Sequence, residues 1–555
     1  MNKPERRVVG ASAIGTAFEW YDFFLYGALV PVIGAKFFGE YSQTAQTVFA
    51  LLTFAAGFIV RPIGAVIFAR LTDVIGRKVV FLITLVLMGV STVVVGLLPT
   101  SEQIGILAPI ALVTCRILQG LAVSGEFGAA VTYLSEYAPN RERGYFIGWL
   151  TGTTALAFSL SLAVQLVTET IVGSEAYLEW GWRIPFLISV IPLGLSVWIR
   201  TRLNESPLFL EMKASGTTSK APLREAFATW PRVRMILVVF VMASAQSFIG
   251  YLSTVYMLTT MKTNLKVESY TVNAIFMVIM LIGFFLCIGA CWLSDKVGRR
   301  PVLFAGLGLA AVLIFPITHA LTAVANPELR TAQSEVDVTI LADPGTCSFQ
   351  FNPAGTAEFT SDCDRARSVL QSGSVEFDRE DSTDGTTSVV VDGASVQGGP
   401  DLEAQLTAAL TDAGYPMDGS DRTIRVDGFG DLFDGRVLAA GALLLCLVLF
   451  AQLAQGPAST AMTEVFPTRI RATALSIPYQ LGVGVFGGLL PATMVALGAE
   501  IGSFTTALWY PVIAMGVGLL ILVFTLPETR GRDLAEITIP GEDDDVRPVE
   551  QGSAR

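Results

Sequence analysis

The sequence predicts an all-α polytopic membrane protein: twelve transmembrane helices in two six-helix halves, with a small α/β extracytoplasmic insertion between helices nine and ten. Three observations predict it. Only 15% of the 555 residues are charged while 52% are apolar or aromatic, and the mean hydropathy is +0.58; soluble domains carry about 25% charged residues. Uncharged runs of about 18 residues or more, the length that crosses a bilayer, recur along the chain. Two pairs of short motifs also repeat at long, regular offsets.

The apolar runs fall at about 11–34, 47–69, 79–99, 105–133, 145–168, 184–202, 233–260, 270–293, 302–324, 435–460, 472–498 and 504–526. The opening MNKPERRVVG has the basic character of a signal-peptide start, but Glu19 and Asp22 interrupt the apolar run behind it, so it reads as a retained first helix. An even number of spans places both termini on one side. Lys and Arg crowd the short loops of that side, from Arg70 through Arg200 and Lys220 to Arg471. The short loops of the other side hold only Lys36, Arg183, Lys262 and Lys266. This bias puts both termini in the cytoplasm.

Residues 326–434 break the pattern. They hold 21 Asp and Glu against six Lys and Arg, a net of −15, which leaves +4 for the rest of a chain whose total is −11. Alternating stretches at 336–341, 387–393 and 422–428 and an amphipathic run at 401–413 predict a small α/β domain on the outer side. Its two cysteines, Cys347 and Cys363, face an oxidising compartment and are candidates for a disulfide. The resulting division is 1–202 (first six-helix half), 203–232 (basic cytoplasmic linker), 233–325 with 435–526 (second half), 326–434 (insertion) and 527–555 (cytoplasmic tail).

Between spans two and three the chain reads LTDVIGRK (71–78), and between spans eight and nine LSDKVGRR (293–300), an offset of 222. SEYAPNRERG (135–144) matches TEVFPTRIRA (463–472) at an offset of 328. The difference, 328 − 222 = 106, is close to the length of the acidic segment. Two homologous halves, the second carrying an insertion, account for both offsets, and such repeats place a solute site between the halves near the bilayer midplane.

The D-x-x-G-R-K/R loops resemble the signature of the major facilitator superfamily. EWYDFFLYG (19–27), RPIGA (61–65), RILQG (116–120), SGEFG (124–128), WGWRIPF (180–186), ESPLF (205–209), EVFPTRIRA (464–472), FGG (486–488) and PETRG (527–531) resemble its metabolite:proton symporters. These include transporters of proline and betaine, shikimate, citrate and α-ketoglutarate. The resemblance implies the major facilitator fold and covers nearly the whole chain except 326–434, where that family has a short loop.

Charges at membrane depth cost about 2.5–3.5 kcal/mol on insertion scales and face a cavity or a partner. Five stand out: Glu19, Asp22, Arg61, Arg116 and Glu126. Asp22 and Arg116 fall within about a helical turn of each other in depth, on helices that line the central cavity in the resembling superfamily. They are expected to pair, either as a proton-coupling site or as a structural bridge. Glu19 and Glu126 join them as proton-coupling candidates. Arg61 either grips a solute carboxylate through its fork or anchors helix two. Tyr26, Gln119, Gln246, Tyr251, Tyr256, Tyr479 and Gln480 are further substrate-binding candidates, for each of which a core role competes.

The motif loops read as a cytoplasmic gate. Gly76 and Gly298 allow tight turns, and the acids and bases around them can pair in one conformation and separate in another. The set is Asp73, Gly76, Arg77, Lys78, Glu136, Arg141, Arg143, Asp295, Gly298, Arg299, Arg300, Glu464, Arg469 and Arg471.

With His319 as the single histidine, a histidine-rich metal site is excluded, and no phosphate loop or nucleophile elbow occurs. No metal, cofactor or nucleic acid is expected, and the chain does not read as an enzyme. The expected function is proton-coupled import of a small carboxylate-bearing metabolite, an organic acid or a zwitterion, across the bacterial plasma membrane. The partners are that solute, protons and the lipid bilayer, and the chain is expected to work as a monomer. A sugar or drug transporter of the same superfamily, or a sensor using the outer domain as receptor, are the alternatives.

Overall fold

Apolar runs force helices, because a backbone in lipid must satisfy its own hydrogen bonds, and small residues decide how closely those helices approach. The computed structural model describes residues 16–17, 20–75, 77–124, 126–201, 225–343, 345–348, 360–382, 386–417, 422–467 and 470–534. For Asp73, Arg77, Lys78 and Glu126 it describes the backbone alone. Among the described residues nine helical stretches are long and apolar enough to cross a membrane, and two more, Leu82–Leu97 and Leu107–Val123, are apolar but shorter.

In the first half, α1 (20–28) and α2 (Val30–Phe37) are followed by α3 (Gln43–Ile59) and α4 (Arg61–Ile75), then α5 (Arg77–Leu97), α6 (Leu107–Val123), α7 (Glu126–Tyr137), α8 (Arg143–Val172), α9 (Ile184–Ile188) and α10 (Val190–Thr201). The second half has α11 (Trp230–Tyr251), α12 (Met257–Thr263), α13 (Ser269–Val297), α14 (Arg299–Ala325), α18 (Gly435–Glu464), α19 (Arg471–Leu481), α20 (Gly488–Ile501) and α21 (Trp509–Thr525), with α15–α17 in the insertion. The single helix expected over 105–133 is two. Ser124 closes α6 by donating its hydroxyl to the Leu121 carbonyl (2.6 Å), a side-chain bond that competes with helix continuation. The run at 184–202 is divided in the same way at Ser189, whose hydroxyl donates to Phe186 O at 2.6 Å. Helix two breaks between Ile59 and Arg61, where Pro62 has no N–H to offer the preceding turn. Wider π-helical turns interrupt the second half at Leu252–Tyr256, between α11 and α12, and at Gly482–Gly487, between α19 and α20.

The halves meet most intimately where α8 crosses α13. Gly144, Gly148 and Gly152 form one stripe of α8; a side chain there would come within 2.6 Å of Cys291 O, 2.9 Å of Cys291 Cβ and 3.0 Å of Phe284. The repeated glycines thus let the two backbones touch, the packing that replaces hydrophobic drive inside lipid.

Between α14 and α18 lies the insertion. Helix α15 (Pro327–Glu335) leads into strand β1 (Val338–Ala342), then α16 (Asp362–Ser372), β2 (Asp378–Asp381), β3 (Ser388–Val391), β4 (Ala394–Gln397) and α17 (Leu402–Asp412). The sheet order is β2-β1-β3-β4, with β1 parallel to β2 and antiparallel to β3. The β3–β4 hairpin pairs Val391 with Ala394 around Asp392 and Gly393, both at positive φ (45° and 81°); an Asp-Gly pair is the natural filling of that two-residue turn. Its core is Ile340, Ala366, Leu370, Val389, Leu406 and Leu410. The sulfurs of Cys347 and Cys363 are bonded, with Cα atoms 5.2 Å apart.

Candidate functional site

Two features occupy the contact between the halves: a buried charge cluster at one end of the bundle and an aromatic-lined cavity at its middle. The cluster is built on the repeated motifs. Glu464, at the last residue of α18 and fully buried, accepts from Arg143 Nη1 (2.8 Å), Arg299 Nε and Nη2 (3.2 and 3.1 Å) and the Thr529 hydroxyl (2.6 Å). Arg143 belongs to the first half, so this contact spans the interface. Its guanidinium also donates to Asn140 Oδ1 (2.6 Å), Ser135 O and Arg532 O. Asp295 takes the N–H groups of Gly144 (2.9 Å) and Tyr145 (2.7 Å) at the start of α8, besides Arg299 Nη1 (2.7 Å). An acid from one half therefore sits on the positive end of a helix from the other.

The motif offset of 328 relates Glu136 to Glu464 and Arg143 to Arg471. The ion pairs respect that relation: Arg143 binds Glu464, and Arg471 Nη1 binds Glu136 at 3.4 Å. Each half gives its arginine to the other half's glutamate. Arg471 further donates to Phe466 O and Leu534 O. Gly298, at φ +119°, makes the turn before α14, and Glu528 covers it, accepting from the backbone N–H of Arg299 (2.9 Å) and Arg300 (3.1 Å). Burial pushes the Glu528 carboxyl up, but the N–H groups of Arg299, Arg530, Arg300 and Thr529 together hold it below the usual carboxylate range. Arg300 also donates to Val523 O, while Arg141 is exposed. Gly76 and Arg469, and the side chains of Asp73, Arg77 and Lys78, lie outside the described residues.

The central cavity has a volume of about 60 Å³ and is lined from both halves by Trp20, Phe24, Thr154, Phe158, Gln246, Tyr251, Gln452 and Tyr479, among others. That is room for several waters. Two buried arginines lie outside this lining, Arg61 against the cavity residue Trp20 and Arg116 against Tyr26. Arg61 has its guanidinium carbon 4.0 Å from the Phe58 ring centroid, 4.6 Å from Phe23 and 5.4 Å from Trp20. Arg116, fully buried, lies 3.7 Å over the Tyr26 ring, and among the described residues none of its three guanidinium nitrogens has a hydrogen-bond partner.

The expected Asp22–Arg116 ion pair is therefore not made. Asp22 is buried and acts on Arg116 electrostatically, but the guanidinium turns its face to Tyr26, where stacking stabilises a cation by about 2 kcal/mol or more when desolvated. Glu19 and the side chain of Glu126 lie outside the described residues. Of the substrate candidates, Gln246, Tyr251 and Tyr479 line the cavity. Tyr26 does not: its hydroxyl donates to Ala50 O and its ring carries Arg116. Gln119 donates to the Thr92 hydroxyl (2.7 Å), and Gln480 crosses between halves to Ser124 O (2.8 Å). Tyr256 lines a different cavity at the far end of the bundle. Trp20, Phe24, Thr154, Phe158 and Gln452 escaped the sequence reading, which weighed charge above aromatic faces; Gln452 and Gln455, spaced one helical turn apart in an apolar run, were the visible signal.

Fold and site together define a polytopic helical membrane protein with two related halves around a central cavity. Comparison with known proteins gives the family. The model of the Major Facilitator Superfamily matches residues 12–332, and the chain belongs to that superfamily. It is 34% identical over 322 residues to the proline/betaine transporter of Escherichia coli K12, covering 56% of this chain and 64% of that protein's length. It is also 34% identical over 312 residues to the glycine betaine/proline/ectoine/pipecolic acid transporter OusA of Dickeya dadantii (54% and 62%). A putative proline/betaine transporter of Staphylococcus aureus COL matches at 34% over 334 residues (57% and 69%). The fold is similar to that of the proton:xylose symporter XylE bound to 6-bromo-6-deoxy-D-glucose, with a TM-score of 0.62 at 15% identity over 96% of this chain and 98% of that one. The partially occluded inward-open form of XylE from E. coli gives 0.60 at the same identity, over 96% and 100%.

Proposed function

We propose that the chain is a proton-coupled symporter that imports a small zwitterion bearing a carboxylate and an ammonium, of the proline or betaine kind, by alternating access. The observation that carries this reading is Arg116, a guanidinium buried at membrane depth whose three nitrogens have no hydrogen-bond partner among the described residues. Burying a cation is costly, by several kcal/mol; ring stacking and the field of Asp22 offset part of that, and a solute carboxylate would add a bidentate bond. Trp20, Phe24, Phe158, Tyr251 and Tyr479 give the cavity aromatic faces, which attract a quaternary or secondary ammonium. The Gln452 Oε1 acceptor, buried and without a hydrogen-bond partner among the described residues, suits an N–H donor such as that of proline. Two relatives named for proline and betaine are consistent with this chemistry.

Asp22 is the proton site in this scheme. The solute carboxylate competes with the charge of Asp22 for Arg116, and a proton on Asp22 removes that competition. Solute and proton therefore enter together. The chain crosses the membrane twelve times, adding the first helix, Leu82–Leu97 and Leu107–Val123 to the nine long stretches, and functions as a monomer. Both termini and the Arg143–Glu464 cluster lie on the cytoplasmic side, and residues 326–434 lie outside. The cluster is the cytoplasmic gate, closed in the present arrangement; opening it parts the halves along the α8–α13 crossing.

The test is solute-induced proton flux in proteoliposomes, with glycine betaine, proline, citrate, shikimate and xylose outside. Internal acidification with glycine betaine or proline, abolished by a protonophore and missing in Asp22→Asn, is the expected result. A response to xylose alone, or to dicarboxylates and tricarboxylates alone, overturns the reading.

A further inference from the structure

The insertion is hydrogen-bonded to the second half of the bundle, and its helix α16 also packs against α3 of the first half. Arg367 binds Glu500 (2.9 Å) and Ala499 O (3.0 Å), and Gln371 binds Ala499 O (3.0 Å), all at the end of α20. The Phe377 N–H donates to Gly502 O, and the hydroxyls of Ser503 and Thr505 both donate to Glu376 Oε1 at 2.8 Å. On its other flank the Ile424 N–H donates to Ala325 O and the Val426 N–H to the Thr271 hydroxyl. Each of these anchors belongs to the second half. Where the insertion overhangs the first half it leaves a cavity of about 70 Å³, completed by Gln43 at the start of α3.

The walls of this cavity have opposite charges that do not neutralise each other. Lys266 stands on one side, and among the described residues no carboxylate pairs with it. Glu376 stands on the insertion; Oε1 is taken by the two hydroxyls, and among the described residues Oε2 has no hydrogen-bond partner. Ser374 Oγ, in a side chain only 5% exposed, also lacks a hydrogen-bond partner. Lys266 and Ser374 both adopt left-handed backbone (φ 57° and 55°), a strain of order 1–3 kcal/mol that persists only where surroundings enforce it and gathers at functional sites. The rings of Phe377 and Phe504 complete the lining.

We propose that this cavity is a second solute site, an outer vestibule in which Lys266 and the Ser374 hydroxyl take the carboxylate of a zwitterion while Glu376 and the two phenylalanine faces take its ammonium. The proposal rests on the reading of the chain as a zwitterion carrier. Because the cavity takes Gln43, Thr44 and Thr47 from the first half and the rest of its lining from the second half and the insertion, the vestibule changes shape as the halves rock, and solute held there is delivered when the outer path opens.

Equilibrium binding of radiolabelled glycine betaine to the full chain in nanodiscs, run beside vesicle uptake, tests it. Wild type is expected to bind two equivalents. Lys266→Asn, a residue that tolerates positive φ, and Glu376→Gln, which still accepts from Ser503 and Thr505, are each expected to weaken one equivalent by about tenfold or more. Arg116→Gln is expected to keep the Lys266-dependent equivalent. A single equivalent in wild type that neither vestibule variant alters, with uptake present, overturns the vestibule and leaves the transport reading standing. One equivalent lost in Lys266→Asn, with no uptake of any zwitterion, upholds the vestibule and overturns the transport reading. No binding at all overturns both.

Discussion

The two cross-half ion pairs are related by the 328-residue motif offset, yet they are not equivalent. Glu464 is fully buried and receives Arg143, Arg299 and Thr529. Glu136 has an 18% exposed side chain and meets Arg471 at 3.4 Å. The difference comes from what surrounds each acid. The tail segment brings Thr529 and Arg532 to the Glu464 side, and the glycine stripe of α8 lets α13 come close enough for Asp295 to reach the N–H groups of Gly144 and Tyr145. The positions related to Gly144, Gly148 and Gly152 by the 328 offset are Ala472, Ser476 and Gln480. On that side side chains stand where glycine stands on this one, and Gln480 adds a neutral bridge to Ser124 O. The cluster thus comprises one firm clamp and one looser one, and on the proposed reading of it as a gate the firm clamp is expected to govern opening.

The largest effect is expected from removing the firm clamp's acid. Glu464→Gln leaves Arg143 and Arg299 buried without their shared counter-charge, a loss of about 3–5 kcal/mol. Cys291 lies under this clamp, against Gly148 and Gly456. In a chain stripped of its other free cysteines, maleimide labelling of Cys291 from the cytoplasmic side should rise by at least about tenfold in Glu464→Gln. Unchanged labelling would mean that the cluster does not close the path. The looser clamp should matter less. Glu136→Gln is expected to cost about 1 kcal/mol, and to raise Cys291 labelling by no more than about fivefold; equal effects from the two variants would remove the asymmetry.

The smallest effect sharpens the comparison at its rim. Glu528 touches only the firm side, and its carboxyl is held below the usual range. A depressed folded-state value means that its contribution is present above the unfolded value, about 4.3, and is lost as pH falls through the folded one. Glu528→Gln should therefore lower thermal stability by about 0.3–1 kcal/mol at pH 7, and by progressively less in acid below about pH 4. A variant effect that grows in acid would assign the carboxylate a different role.

Much of this charge cluster is legible in the sequence, because motif offsets report on charges that recur in register. Glu136, Arg143, Glu464 and Arg471 were picked from spacing, and the structure brings those four together across the interface. What spacing could not tell was which acid each arginine takes, since exchange between halves is a property of the assembled bundle. The α8 glycine stripe was present as Gly144, Gly148 and Gly152, but its meaning depends on the partner helix that presses against it. The cavity was legible only in part. Depth arithmetic put Asp22 and Arg116 at one level, but helical phase turned Arg116 onto Tyr26, and rotation about a helix axis is not fixed by distance along it. Aromatic cavity residues such as Phe24 and Phe158 were hidden for another reason: in a bundle this apolar, a ring facing a solute and a ring facing another helix look alike in sequence.

Selection of a zwitterion by the buried Arg116 together with the aromatic cavity is tested most directly by competition for proline uptake in proteoliposomes. Glycine betaine and choline carry the same quaternary ammonium, but choline has a hydroxyl where betaine has its carboxylate. The account predicts that glycine betaine competes with proline, that choline competes at least about tenfold more weakly, and that Arg116→Gln loses proline uptake. Equal competition by choline, or wild-type uptake in Arg116→Gln, would contradict it.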